Sequence, residues 1–471
     1  MRILVLGGGS SQLNLLRRAR EDGHYVVLAD HDTAAPGRTV AHDFAHVSTF
    51  DTEGVTRAAR EFAVDAIATA GSDQPVLSAA IASHRLGLPF ALSPEVALAV
   101  TNKRVMKEIM TEAGIPSAPY AFLSSGADEQ TVGFALEGIP APWVIKPLDS
   151  QGQRGVMKLE TPQEIVAAIP EVLRFSRLNE VVVEQYYESM EITVSGWVTE
   201  GRLEVFSVTD RVTVEYPPSL GVCVAHRFPS VVSHSLCTES PYPFAFKEKS
   251  AKSSAFRADF PVNSITGKKK PERLYTSFRT LHRICELIVK AFEIPAGPLY
   301  VQLLCGSQGL IVNEVACRLG GAYEDIVLPV ALGVDPVGLL LGGLNGDALL
   351  AGSAPALHAA KSAPPATGAP RPFCVPLLFC RPGTVAGFRG RREALAIPGV
   401  FAMEFLLPVG VEIRDIRNST QRIGYAVIVG ETPGAVNASV AALFETIAVV
   451  DDTGANLLIN TSSHCMLAAN A

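Results

Sequence analysis

The stretch Pro142-Trp-Val-Ile-Lys-Pro-Leu-Asp-Ser-Gln-Gly-Gln-Arg-Gly-Val156 decides how the rest of the chain is read. Val144-Ile145 is a short apolar run with the signature of a strand. It delivers Lys146 at its end, and Pro147, which has no N–H to give to a ladder, stops the pairing there. A polar loop holding Gly152 and Gly155 follows, and then a second apolar run, Val156-Met-Lys-Leu159. The spacing predicts a hairpin with a glycine-rich tip and one lysine on its inner strand. Taken alone, such a hairpin is usually an ordinary turn. It also suits phosphate, because glycine lets backbone N–H groups approach an anion closely and a lysine adds a point charge.

Ahead of the hairpin the chain alternates strand and helix. Arg2-Ile-Leu-Val-Leu6, a Gly7-Gly8-Gly9-Ser-Ser-Gln12 turn, an amphipathic run and Tyr25-Val-Val-Leu28 ending at Asp30 predict a βαβ unit. The turn tempts one toward a pyridine-nucleotide site with Asp30 on a ribose, but Gln12 stands where the third glycine of that fingerprint belongs. Asp65–Thr69 reads as a further strand. Ser72 or Asp73 caps the next helix, which runs through Ala82, so residues 1–92 form a doubly wound α/β domain. A helix over 102–113 carries Lys103 in its first turn, where the helix dipole disfavours a cation.

Behind the hairpin the pattern predicts a helix from about 162 to 177, then the strand Val181–Val183 running into Glu184-Gln-Tyr-Tyr-Glu-Ser-Met-Glu191, and further strands up to His226-Arg227. Residues 231–271 carry many Ser and Lys without periodicity and read as a long loop or insertion. A helix from about 272 to 292 precedes the hairpin Leu299–Leu304 and Gly309–Val315, which leads into Arg318. Residues 351–371, rich in Ala and Pro, read as a linker before a small α+β unit at 372–471.

Composition bounds the rest. At 471 residues, 48% hydrophobic and 18% charged, the chain has enough material for two to four well-buried domains. A net charge of −7 argues against nucleic-acid or anionic-membrane partners. The eight cysteines include no CxxC pair and predict reduced thiols rather than a zinc site or a disulfide framework. Met-Arg running straight into a strand gives no signal-peptide pattern, which predicts a cytoplasmic protein. The apolar segment from Ile326 to Leu344 is interrupted by Pro329, Asp335 and Pro336, and predicts a buried helix pair rather than a membrane span.

From residue 2 to about 345 the motifs, in their order, resemble the ATP-grasp ligases. That resemblance implies an ATP-grasp domain over 93–350 with a lid at about 117–183, and it implies roles. Lys103, in a Thr-Asn-Lys opening before an Ala-Gly-Ile-Pro helix end, matches the first ATP lysine, and Lys146 matches the second. Gly152 and Gly155 match the phosphate lid, Glu184 the adenine-side acid, Gln185 to Tyr187 the connecting segment, and Glu191 the ribose-binding acid. Gln302 and Glu314 match ligands of magnesium (or manganese), and Arg318 matches the arginine that faces the transferring phosphate. The implied reaction joins a small-molecule carboxylate to an amine through an acyl phosphate, with ATP and magnesium as cofactors. Dimers are usual for such folds.

Two departures refine it. Many relatives carry Glu-x-Asn-x-Arg, but Ala316 replaces the Asn here, which removes one ligand of a second magnesium and resembles the L-amino-acid ligases, which join two amino acids. In their style, His226 in Ala-His-Arg-Phe-Pro-Ser matches a substrate-pocket histidine. Cys223, in turn, stands where some of them hold the substrate's amino group with an acid. A purine-biosynthesis or bicarbonate-activating ligase of the same fold, and a non-catalytic or pyridine-nucleotide-binding protein, stay open as alternatives.

Overall fold

Leu4 and the strands beside it are apolar on both faces because both faces are covered, and the N-terminal unit is built around them. The computed structural model describes residues 1–217, 219–234, 278–344 and 369–468. Its first sheet has four parallel strands in the order Asp43–His46, Tyr25–Asp30, Arg2–Leu6, Ala66–Ala68. Helices Thr52–Glu61 and Gln74–Leu86 cover one face. Leu13–Glu21 covers the other, together with Val337 and Leu341 of the later helix Pro336–Gly343. Asp73 stands at the N-cap of Gln74–Leu86 as expected, but its side chain accepts no capping hydrogen bond, and the helix runs on to Leu86 rather than stopping at Ala82.

The second sheet has twelve strands, every pairing antiparallel. The predicted hairpin is there: Trp143–Pro147 pairs with Met157–Leu159, Trp143 opposite Leu159 and Ile145 opposite Met157. With Glu180–Gln185 and Tyr120–Ser124 these strands form a small sub-sheet. Helices Glu129–Ala135 and Pro162–Leu173 cover it, and its own core includes Ile145, Ile165 and Val183. The second helix starts at a reciprocal cap, Thr161 with Glu164, and ends near 173 instead of 177. The sub-sheet meets the rest through a single register pair, Ser219 opposite Met157.

Beyond that joint lie Ser219–Phe228, Arg202–Tyr216, Ser189–Thr199, Gly297–Gly306 and Gly309–Ala316. Phe373–Leu378 pairs with Ser219–Phe228 and leads to Gly424–Val429 and Val400–Phe405, so the C-terminal strands continue the central sheet. Glu324–Leu332 and Pro336–Gly343 are the expected helix pair, bent by 115° at their junction. Pro329 lies inside the first helix, and the break comes at Gly333, whose φ is +71°. No single helix among the described residues is long and apolar enough to cross a membrane. Of the 231–271 segment, 231–234 form a helical turn and the rest lies outside the described residues, as do the start of the 272–292 helix and most of the 351–371 linker.

Candidate active site

The floor is made by two paired strands. Gln302 sits directly opposite Glu314, and the register shifts by one residue immediately after, which leaves Asn313 as the extra residue of a bulge. A bulge turns two successive side chains toward one side of a sheet, so Asn313 and Glu314 both reach the same cavity. Asn313 donates to Gln302 Oε1 at 3.5 Å and accepts from Lys146 Nζ at 2.9 Å.

Two lysines meet this floor from opposite elements. Asn102 caps Lys103–Glu112 by accepting from Arg104 N at 2.9 Å, which fixes Lys103 as the first helical residue. Its Nζ donates to the Ser150 carbonyl at 2.8 Å and lies 3.1 Å from Glu314. That anionic contact answers the unfavourable helix dipole. Lys146 comes down from the hairpin, with Nζ also 3.1 Å from Glu184. Lys107, one turn after Lys103 and only 1% exposed, approaches the same Glu184 oxygen at 3.3 Å. Burial would raise the Glu184 carboxyl, but Lys107 and Lys146 together hold it below the ordinary range.

The loop between the hairpin strands is fastened over this floor. Gly152 has φ +67°, and a Cβ there would lie 2.6 Å from Thr420 Cγ2, so a side chain would strain the backbone and displace Thr420. Gln153, itself at φ +64°, hydrogen-bonds the Gly221 carbonyl and the Ser419 hydroxyl, while Ser419 N donates to the Gly152 carbonyl at 3.2 Å. Gly155 lies off the cavity, turned against the Phe175 ring. The cavity measures about 250 Å³ and is also lined by Gln185, Tyr187 and Glu191. The Tyr187 hydroxyl donates to the Gly309 carbonyl at 2.9 Å and ties the connecting segment to the 306–309 turn. Glu191 lies opposite Arg211 in the register and forms an ion pair with it.

A second cavity of about 660 Å³ shares Gly152, Gln302 and Glu314 with the first and runs toward the N-terminal unit and the C-terminal strands. Arg318 and His226 line it, so the structure brings the predicted residues, Gly155 excepted, to two adjoining chambers. Arg318 is buried, its Nε 2.6 Å from Asp73 Oδ1 and its guanidinium 4.5 Å above the Tyr300 ring. This pairing is why Asp73 does not cap its helix. His226 is a buried residue as well as a lining one, and burial followed by Arg211, Arg422 and Arg318 pushes it down to about 3, so it is neutral at physiological pH. Asp30 is committed to the backbone, accepting from Gly8 N at 2.7 Å and Asp32 N at 2.8 Å. Gln12 fills the glycine turn by donating to the Ala70 carbonyl. Both side chains brace the turn itself.

Asp325, at the head of Glu324–Leu332, also lines the larger cavity, and burial followed by neighbouring Glu324 raises its carboxyl to about 7. A carboxyl raised in the fold above its free value of about 3.9 costs nothing below that pH, and the cost grows until the folded group ionises. Stability should therefore fall from about pH 4 to pH 7 on this account, by at most about 4 kcal/mol. Asp325→Asn removes the effect. Melting curves should bring variant and wild type together near pH 4 and show the variant the more stable at pH 8; a gap independent of pH would contradict it.

Comparisons with known proteins agree with this architecture. The family described as L-amino acid ligase C-terminal domain 2 matches residues 376–451. The crystal structure of L-amino acid ligase from Bacillus licheniformis superposes with a TM-score of 0.67 at 15% identity, covering 96% of this chain and 98% of that one. The biotin carboxylase domain dimer of the Hydrogenobacter thermophilus 2-oxoglutarate carboxylase, solved with MgADP, ADP and bicarbonate, superposes with a TM-score of 0.63 at 16% identity, covering 95% of this chain and 90% of that one. In sequence, the formate-dependent phosphoribosylglycinamide formyltransferase of Paraburkholderia xenovorans is 28% identical over 204 residues, 41% of this chain and 49% of that protein. This chain thus spans about half the length of the curated relatives it matches. Hairpin, two-lysine floor and whole-chain superpositions lead to one conclusion: the chain has the ATP-grasp fold, closed by a module that matches the C-terminal domain of the L-amino acid ligases.

Proposed function

We propose that this protein is an ATP-dependent carboxylate–amine ligase that forms an amide or peptide bond and releases ADP and phosphate. The observation that carries this is the placing of Lys103 and Lys146 over the Gln302–Asn313–Glu314 floor, beneath the fastened Gly152 loop. Each lysine nitrogen spends two of its contacts on the protein and keeps a third N–H for a phosphate oxygen. The donor set also fits magnesium. It offers two or three oxygens on one floor, and among the described residues no group of three acidic or soft ligands would form a complete protein cage. Such a partial set suits an ion that keeps waters and nucleotide phosphates as its other ligands. When bound, magnesium offsets the charge of the phosphates.

In this reading Glu184 and Glu191 serve the nucleoside end, Tyr187 and Gln185 line its wall, and the Gly152 loop excludes water that would hydrolyse an acyl phosphate. Arg318 and His226 face the chamber where carboxylate and amine meet. The C-terminal match favours amino acids as substrates, within a cytoplasmic protein that acts as a homodimer. The identity to the formyltransferase favours a second reading in which the carboxylate is formate or a similar small acid. Incubating the protein with ATP, magnesium and pools of amino acids, and separately with formate or bicarbonate plus amines, should give acceptor-dependent ADP. Mass spectrometry of the products then separates the two readings. ADP release that no acceptor pair stimulates would remove the ligase assignment.

A further inference from the structure

Four arginines line the larger cavity, Arg17, Arg211, Arg318 and Arg422, and three of its four carboxylates already hold cations. Asp73 lies 2.6 Å from Arg318, Glu314 lies 3.1 Å from Lys103, and Glu404 takes two nitrogens of Arg391, while burial raises the fourth, Asp325, to about 7. Arg211 is likewise held by Glu191. Arg17 and Arg422 are different, and only Arg422 stands in the closing module. It follows the Ser419–Gln421 turn that fastens the glycine loop, and it lines the cavity without a carboxylate partner among the described residues. Its Nη2 donates to the Gly321 carbonyl at 3.2 Å, and its guanidinium stands 5.3 Å above the Tyr323 ring, which stacks on Tyr425 at 3.4 Å. One carbonyl and a stacked aromatic pair fix the orientation of that plane while leaving most of its five donors unspent.

We infer that Arg422 is a specificity-determining residue that receives an oxyanion, carboxylate or phosphate, carried by the substrate in the larger cavity in addition to the carboxylate that reacts. Arg422 belongs to the closing module and Arg318 to the nucleotide-binding core, so one substrate reaching both would bridge the two. Cys223, buried beside the Ser419 hydroxyl, offers no charge to an ammonium group, and three of the four acids that line the chamber already hold cations. The wall therefore selects for negative charge at this end. The location of the hidden positive charge agrees, since Arg422 is one of the groups that keeps His226 neutral.

This inference rests on the ligase reading, and its test separates the two. The full chain, loaded with magnesium and a non-hydrolysable ATP analogue, is titrated calorimetrically with succinate and, separately, with inorganic phosphate. At least one anion should bind the wild type. R422Q should weaken that binding at least tenfold with the affinity for the analogue unchanged, and R422K should recover part of it. The anion that binds identifies the oxyanion as carboxylate or phosphate. Equal binding by R422Q, or no binding of either anion to the wild type, would overturn the inference. Failure of the wild type to bind the analogue would instead sink the nucleotide assignment, and the same titration on the protein alone still reads the role of Arg422. If R422Q does not fold, R422M, closer in length to arginine, takes its place.

Discussion

Replacing Lys146 by Ala should cost the protein its nucleotide. Lys146 joins hairpin to floor, with Nζ 2.9 Å from Asn313 and 3.1 Å from Glu184. Losing a charged donor to phosphate should weaken ATP binding on the order of 100-fold, about 2.7 kcal/mol. The variant also leaves Glu184, which is 4% exposed, with Lys107 as its remaining cation, and Lys107 contacts it off hydrogen-bonding geometry. Removing one partner from a buried charge cluster destabilises the fold, so thermal unfolding must be followed alongside calorimetry. Lys146→Arg keeps the charge and should keep the fold, but its larger planar fork cannot reproduce both contacts in this space. Unchanged ATP affinity in a folded Lys146→Ala protein would contradict the placing of the nucleotide in this cavity.

Much of this arrangement was legible in the chain. The hairpin around Lys146 could be read because its signals are local: two apolar runs, a proline stop and glycines that must occupy φ > 0 at Gly152 and Gly155. The helix that carries Lys103 was legible from its apolar spacing, and its Asn102 cap is a signal of the same local kind. Partners across strands were not legible. Arg211 meets Glu191 only because those two residues are opposite in one register, and a period-two pattern tells which face a residue takes but not which residue stands across from it. Asn313 gives the clearest case. Strict alternation would point it away from Glu314, and only the bulge after Gln302 brings both to the same side.

Lys107 could have been found, since it lies one helical turn from Lys103 and so shares its face, but a lysine in a helix ordinarily reads as solvated. Asp73 carried a misleading local signal. Its position before Gln74-Pro75 suits a cap, and the tertiary partner Arg318 took the carboxylate instead. Arg422 had no signal at all, because its role depends on how the closing strands return to the central sheet. Local chemistry thus located the glycine loop and Lys103, while the placing of Asp73, Arg318 and Arg422 depends on contacts between distant segments.

Those contacts make Arg318→Ala the more demanding substitution. If Arg318 faces the transferring phosphate, its loss should lower turnover by about 10²–10³-fold while leaving the affinity for ATP within a few-fold, because a group that acts on charge developing in the reaction contributes little to ground-state binding. The alternative is that Arg318 only holds Asp73, and so joins the N-terminal unit to the core. The two accounts part at Asp73. Asp73→Asn keeps the shape and removes the charge that pairs with Arg318 Nε at 2.6 Å. On the joining account it should damage activity as much as Arg318→Ala. On the phosphate-facing account it frees the guanidinium without removing it, so turnover should fall less than about tenfold, and the double variant should be no worse than Arg318→Ala alone. Stability gives an independent reading. Asp73 left without its arginine still sits at the N-cap of Gln74–Leu86, where the helix dipole favours a carboxylate. Arg318→Ala should therefore cost less than the 3–5 kcal/mol typical of breaking a buried pair. A large stability loss with kcat unchanged in the folded fraction would assign Arg318 to the structure rather than to the chemistry.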